Sequence, residues 1–546
     1  MAIKYATATG SSANSGDSEA QAWTLDFALT QLANGMTLYV KAGTYTNISR
    51  VVTIGGATSG SHPKIIGYKN TPNDIVATKG TTLYTGGMPD ANEAPLIQNP
   101  YDGNNRPTIE FGLNFNVDWI EISNLSFHGY SQPFRVTGDN TVVDNVYTWK
   151  HGTHNPADLG GFGTTFPTGP YTGWGIIIAG DNHQLKNSYV LDAGAVGINV
   201  LNSNNFIHRD NKVETKLGVG SYYWQPELSD GNSTDYHYLI DGISSGGRLY
   251  DIAVEQKTGM GTDGHGIVFK NRSKIGSETP IDDMIVDGFT VFNSKIEVQF
   301  PNTTNITFRN GVIDTDDTGA YTAGKDANLA NGGKNITLEN IQFKRAAHLT
   351  IRGWQDTYDL VYPYSVENLK VLNCSFEGVG VESAIWITHG PGNNDTHRAK
   401  DVFFDHCTFS GYFRFAYMSS DFENVNFTNC IVVDQPTYYQ IGYMDGAGPA
   451  GGTGGPYPLF ADWDNNNFFN SFIPNGGSDT NTNSTALDPA LDANGVTTNP
   501  TLLTAGIATA DYAAGLPIGY LGEISTPPIL DNLLAKKQNA IILINN

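Results

Sequence analysis

The chain has 546 residues, with 31 Lys plus Arg against 54 Asp plus Glu, a formal charge of −23. An acidic surface of that size excludes general binding to nucleic acid or to an anionic membrane, yet leaves room for local cations that hold an acidic sugar. Only 16% of residues are charged, 62 are Gly and 11% are aromatic, which argues against large-scale disorder and suits a turn-rich all-β protein with strands buried on one face.

Taken in chain order, residues 17–34 read as a helix, with Ser18 and Gln21 placed for a capping box and Trp23, Phe27 and Leu32 forming an apolar stripe. Thr37 to Tyr45 then alternates at the strand period, turns at Gly43 and leads into Val51-Val52-Thr53-Ile54. No basic-then-apolar leader and no apolar run of membrane length is visible, so a chain made and kept soluble in a cytoplasm is expected.

From about residue 118 one pattern recurs: alternating apolar and polar residues, an Asn that interrupts them, then an apolar pair. Examples are Asp118 to Asn124, Thr304 to Ile313, Asn335 to Asn340, Asn368 to Asn373 and Asn424 to Asn429. The pattern reads as strand, one-residue bend, strand. The bend residues are Asn124, Asn145, Asn187, Asp210, Asp251, Gly288, Asn310, Asn340, Asn373, His406 and Asn429, separated by 21, 42, 23, 41, 37, 22, 30, 33, 33 and 23 residues. A base period near 21–23 with longer members marks a solenoid whose coils carry loops of variable length. Asn and Gly tolerate the left-handed backbone of a sharp bend, and stacked Asn side chains can hydrogen-bond from coil to coil. The expected fold is therefore all-β, a parallel β-helix with an Asn ladder. An amphipathic helix at its start would cap the open end. Leu does not dominate the apolar positions, which argues against leucine-rich repeats.

Cys374, Cys407 and Cys430 each follow a bend residue, so they are expected to stack inside the core as small apolar groups rather than to form disulfides or a zinc site. From about residue 446 the repeat is expected to stop: Gly446 to Gly455 reads as a hinge, and the apolar terminus, Ile529 to Ala535 and Ile541 to Ile544, as a cap or an oligomer contact. The expected division is 1–60 for the cap and first coils, 61–445 for the β-helix, and 446–546 for a non-repeat C-terminal region.

The polar Thr-Gly-Ser start, the short helix, "TLYVKAGTYT" and "KIIGYKNTPND" together resemble the N-terminal coil of right-handed parallel β-helix proteins of the pectate-lyase-like superfamily. The likeness is strongest to bacteriophage tailspike and virion proteins. The specific wording covers the first seventy or so residues, and the pattern covers about 1–445. The resemblance implies a right-handed helix, a homotrimer located in the virion with other virion proteins as partners, and a host-surface polysaccharide that is bound and depolymerised by a lyase or glycoside hydrolase. A secreted bacterial polysaccharide lyase and a non-catalytic fibre or capsid decoration protein are the alternatives.

Long insertions near 151–174, 215–235, 315–333, 355–365 and 390–399 read as sharing one phase and emerging along one side of the solenoid, where loops on a rigid scaffold concentrate function. Phe162, Phe166, Tyr171 and Trp174 lie in the first, and Tyr222, Tyr223 and Trp224 in the second. Such rings suit the apolar faces of sugars, and equally suit packing of the loops on the coils. Aligning the strands after the insertions places Lys270, Gln299, Arg352 and Thr388 in one outward column and Asn199, Glu297, Thr350 and Trp386 in another. Lys270, Glu297 and Arg352 would then share an exposed sheet. For β-elimination from a uronate, Arg352 would neutralise the carboxylate and Lys270 or His265 would take the proton. For hydrolysis, Glu297 would pair with Asp263, Asp316 or Asp317. Thr262 to Gly266 reads either as a tight turn or as a proton-transfer pair of Asp263 and His265. The candidate substrate-binding residues are Trp174, Tyr222, Tyr223, Trp224 and Trp386. No cofactor is required, although Asp314, Asp316 and Asp317 are candidate calcium ligands. His389, Asp395 and His397 form another candidate cluster in the last insertion.

Overall fold

The computed structural model describes residues 2–75, 88–99, 111–130, 132–149, 174–191, 193, 196–215, 236–256, 265–270, 281–299, 303–315, 327–330, 333–345, 347–352, 364–379, 383–388, 398–412, 414–418, 422–434, 437–440, 461–471, 480–492, 496–509 and 511–521. For some strand residues, Arg352 and Trp386 among them, only the backbone course is described.

These residues form a parallel β-helix. One coil shows how. The strand Thr304–Thr315 bends at Asn310 (φ 56°), the chain next contributes Ala327–Ala330 to a second sheet, and Lys334–Arg345 then repeats the first strand one layer on. Thr307 pairs with Thr337 and Phe308 with Leu338 in parallel register. Among the described residues the first sheet has 24 strands and the second 13. Ile306, Phe308 and Ile313 point inward at 0% exposure, and the intervening residues face out. One continuous apolar cluster runs from Ala6 to Phe468. Aromatic rings stack along it: Phe376 lies 4.3 Å from Phe343 and 4.7 Å from Phe409, and Phe427 lies 4.2 Å from Trp463.

Every bend residue expected from the sequence with a side chain, Asn124 through Asn429, has a left-handed backbone, and so does Gly288. The side chains form the expected ladder where Asn or Asp repeats: Asn340 Nδ2 donates to Asn310 Oδ1 at 3.0 Å, Asn373 to Asn340 at 2.5 Å, and Asn465 to Asn429 at 2.8 Å. A second ladder lies five residues earlier in each coil, with Asn305, Asn335 and Asn368 also left-handed and linked at 2.9 and 2.8 Å. The three cysteines are free and fully buried, and burial pushes the Cys407 and Cys430 thiols well up.

Buried histidines span polar gaps in the coils. His183 Nδ1–H must donate to the Gly180 carbonyl (2.9 Å), so its Nε2 accepts from His208 Nε2–H (2.9 Å), and His208 Nδ1 accepts the Tyr238 hydroxyl proton. His237 Nδ1–H donates to the His265 carbonyl (3.1 Å), which leaves Nε2 to accept from Thr215 Oγ1–H at 3.0 Å. Desolvation holds His183 and His237 down to about 4 and His208 well below the usual histidine value.

Three expectations need correction. The helix over 17–34 is a short 3₁₀ turn, Glu19–Gln21, followed by the six-residue helix Leu25–Thr30. Ser18 makes no capping bond, and Thr24 instead accepts from Phe27 N–H. The helix buries Leu25, Ala28 and Leu29 in the main core, while Phe27 of the expected stripe is only partly buried and Trp23 and Leu32 lie outside the helix. The coils also continue past 446: Ala461–Asp464, Asn467–Phe469 and Thr480–Thr482 pair in register with the strands before them. Finally, the insertions do not share one phase. Those after Trp149, Thr215 and Thr315 lead from the first sheet into the second, whereas those after Arg352 and Thr388 lead from the second sheet back to the first. The second sheet therefore has insertions at both edges.

Residues 499–521 lie back across the bends. Leu521 N–H donates to Asn373 Oδ1 (2.5 Å), Ile507 N–H to Asn429 Oδ1 (2.9 Å), and Tyr520 N–H to Thr408 Oγ1 (2.8 Å). Leu502 and Ile518 pack on Ile431 and Val433.

Candidate functional site

The second sheet turns one face to the core and the other outward. In the strand His265–Lys270, Ile267 and Phe269 point inward, and in Lys295–Gln299 Ile296 and Val298 do the same, all at 0% exposure. Alternation sends Val268 and Glu297 outward, and the register joins them: Asn199, Leu239, Val268, Glu297, Asn328, Thr350 and Trp386 are successive partners. Lys270 pairs with Gln299, and Arg352 with Ala330 and Thr388. The two columns expected from apolar alternation are those the strands form.

The outward face is not the solvated sheet expected. Val196, Leu239 and Val268 form a second apolar cluster with Trp174 packed against it, and Asn199 and Glu297 are 2% and 3% exposed. A carboxylate so placed requires partners. Glu297 Oε2 accepts from His265 Nδ1–H and lies 3.8 Å from Lys295 Nζ, and both partners are themselves buried. His265 reaches Glu297 because the register shifts between His265 and Ile267, so that Gly266 is an extra residue turning the strand's start. A Cβ at Gly266 would lie 2.5 Å from the Lys295 carbonyl oxygen, so the close approach admits only glycine. His265 therefore belongs to a strand and a buried cluster, not to the tight turn that Thr262 to Gly266 suggests.

The His265 ring is held below the usual histidine value, chiefly by desolvation and then by Lys295, against the opposing pull of Glu297. That shift favours the neutral ring. Its Nδ1–H is engaged by the Glu297 carboxylate, which fixes the orientation of the ring. Lys270, half-buried on the same strand, adds its charge to those acting on His265 and stands beside Asp241 in the register.

Of the residues expected at the site, His265 and Glu297 come together, Lys270 lies near, and Trp174 opens the strand Trp174–Ala179 instead of sitting in a loop. Arg352 and Trp386 hold the expected strand positions, but their side chains lie outside the described residues, as do Asp263, Tyr222, Tyr223, Trp224, Asp316, Asp317, His389, Asp395 and His397. Asp314 Oδ1 accepts from Arg345 Nε at 2.5 Å. Among the described residues no group of three or more His, Cys, Asp or Glu could hold a metal ion. Sequence reasoning missed Lys295. Its signal was its place at the head of the Glu297 strand, opposite His265.

Strand pairing, ladders and the outward polar cluster thus define a parallel β-helix with a buried His–Glu–Lys group on one face. The sequence matches no protein-family model and no curated protein. Solved structures similar to it include a PL6 alginate lyase in complex with a trisaccharide (13% identity, 96% of each chain, TM-score 0.46). Others are pectate lyase Pel9A (11%, 96% of each chain, 0.33) and the Streptococcus pneumoniae surface protein and adhesin PfbA (12%, 85% of this chain and 94% of that one, 0.39).

Proposed function

We propose that the outward face of the second sheet binds an acidic polysaccharide and cleaves it by β-elimination. The observation that carries this reading is the buried cluster of His265, Glu297 and Lys295 with Lys270 beside it. A solvated sheet has no need to desolvate a carboxylate, a lysine and a neutral imidazole together, whereas a proton-transfer site does. In this reading His265 Nε2 takes the proton from C5 of a uronate. The C5–H electrons form the C4=C5 double bond as the C4–O bond breaks, and the leaving oxygen takes a proton from water. Lys270 and Lys295 stabilise the charge that develops on the carboxylate. Hydrolysis would need a second carboxylate opposite Glu297, and the candidates for that role lie outside the described residues. The PL6 alginate lyase and pectate lyase act on acidic glycans by name, which agrees with the charge on this face.

The test is absorbance near 235 nm on incubation with alginate, polygalacturonate and other acidic polysaccharides. Unsaturated products that disappear in His265→Gln support the reading. New reducing ends without absorbance would move it to hydrolysis, and no product across the panel would favour a structural role. We place the protein in a phage particle as a trimeric tailspike-type protein on the likeness of its first seventy residues. Sedimentation showing only monomer would overturn that placement.

A further inference from the structure

The same outward column continues toward the N-terminus. Asn199 follows Ile177, which pairs with Arg135, which pairs with Asn114. In the strand Gln132–Val136, Phe134 and Val136 are buried in the core, so Arg135 points outward. Its situation is unlike that of the other arginines whose side chains are described. Arg50, Arg209, Arg248, Arg309 and Arg345 each pair with an aspartate. Arg135 pairs with no carboxylate among the described residues, and its Nε is buried without a hydrogen-bond partner. The Oδ1 atoms of Asn114 beside it and of Asn199 two coils on are also buried and unpartnered. In a chain of net charge −23, an arginine with no acidic partner among the described residues is conspicuous. A buried guanidinium nitrogen with no acceptor costs stability that folding alone does not require. Phe111, on the Asn114 strand, keeps 41% of its surface exposed, and Val51, the register partner of Asn114, keeps 69%. Cation, amide acceptors and exposed apolar carbons together are what an anionic sugar unit needs: a donor for its carboxylate or sulfate, acceptors for its hydroxyls and a surface for its ring.

We propose that Arg135, with Asn114 and Phe111, forms a distal subsite that reads the anionic group of an acidic polysaccharide. It rests on the reading above for the identity of the polymer, though not for cleavage. Five coil steps separate Arg135 from Glu297 in the column, about 24 Å at about 4.8 Å per step. Only a chain long enough to span that distance meets both sites, so Arg135 selects for length as well as charge.

The experiment is affinity electrophoresis of the full chain through gels containing alginate, polygalacturonate or neutral dextran. It is done in a His265→Gln background, so that cleavage does not intervene, and repeated with Arg135→Gln and Arg135→Lys. Arg135→Gln is expected to weaken retardation by the acidic polymers by about tenfold, the scale of one lost charge-assisted contact, with the difference shrinking as salt rises. Retardation by dextran stays unchanged. Melting temperature without polymer is expected to hold or rise, because an unsatisfied buried group has been removed. Unaltered binding of both acidic polymers by Arg135→Gln overturns the proposal, as does a fall in melting temperature with equal loss of binding to dextran. If Arg135→Gln loses binding while the native protein yields no cleavage products, the subsite stands and β-elimination falls. If cleavage is seen and Arg135→Gln binds normally, the reverse holds.

Discussion

Lowering the pH from 7 to 4.5 should destabilise this protein by a calculable amount through its buried histidines. His183 and His237 are fully enclosed, and each spends both ring nitrogens on fixed partners in the neutral form. Each is held to about 4 in the folded chain, against about 6.5 when unfolded. Above pH 6.5 neither state binds the proton and stability is complete. As pH falls through 6.5 the unfolded chain gains protons that the folded chain refuses, and stability is lost until the folded ring also titrates near 4. For each histidine the loss is about 2.5 kcal/mol at pH 4.5 and approaches about 3.4 kcal/mol below pH 4. The assay pairs ring resonances of histidine-labelled protein with urea midpoints at the two pH values. Ring signals of His183 and His237 should stay in the neutral form down to pH 5, and His237→Gln should lose about 2.5 kcal/mol less than the native chain between pH 7 and 4.5. A His237 ring that titrates near 6.5, or a variant as acid-sensitive as the native chain, would refute the reasoning.

The other predictions concern the ladder, the thiols, the aromatic stack and the proposed base. Asn340→Ala removes side-chain bonds to both neighbouring coils and places a Cβ-bearing residue without local hydrogen bonding at φ 54°. A loss of about 2–4 kcal/mol in denaturant titration is expected, with Asn340→Gly recovering the part due to backbone strain. Cys407 and Cys430, fully enclosed and with raised thiol pKa, should not react with a thiol reagent at pH 8 until urea unfolds the coils. Phe376→Leu breaks a stack that continues on both sides and should cost about 1–3 kcal/mol in the same titration. If His265 is the base, the rate of 235 nm product formation should be flat at pH 7 and decline only below the usual histidine range, because its ring is shifted down. A decline centred above pH 7 would exclude it.

The solenoid was legible because one backbone requirement recurs: a bend that only Asn, Asp, Gly or a lone His fills marks each coil. The second ladder was visible too, since Asn335, Asn368 and Asn424 open repeats whose closing Asn was counted. It escaped because a polar residue before a strand reads as an ordinary turn. The site was harder. Apolar alternation fixed the columns of Lys270 and Glu297, but a one-residue bulge at Gly266 carries His265 to Glu297 across two strands, and a sequence shows no such shift. Burial of the outward face was also invisible: the face's own residues, Leu239 and Val268 beside Asn199 and Glu297, mix apolar and polar as an exposed strand would. The length of the first helix was overestimated because the stripe of Trp23 and Phe27 is shared between a loop and one short helical segment.

The hydrogen bond from Leu521 to Asn373 joins residues 148 positions apart, and that from Tyr520 to Thr408 joins residues 112 apart. A solenoid otherwise grows by neighbour contacts, so its coils can stack in the order in which the ribosome delivers them. The contacts made by residues 499–521 cannot form in that order. Asn373 and Asn429 must keep acceptor positions open until more than seventy further residues have emerged, and the last coils gain their final protection only then. Synthesis halted near residue 490 should therefore yield a chain with its ladders formed and its C-terminal coils open to protease, and the same chain should become resistant once residues 499–521 are added.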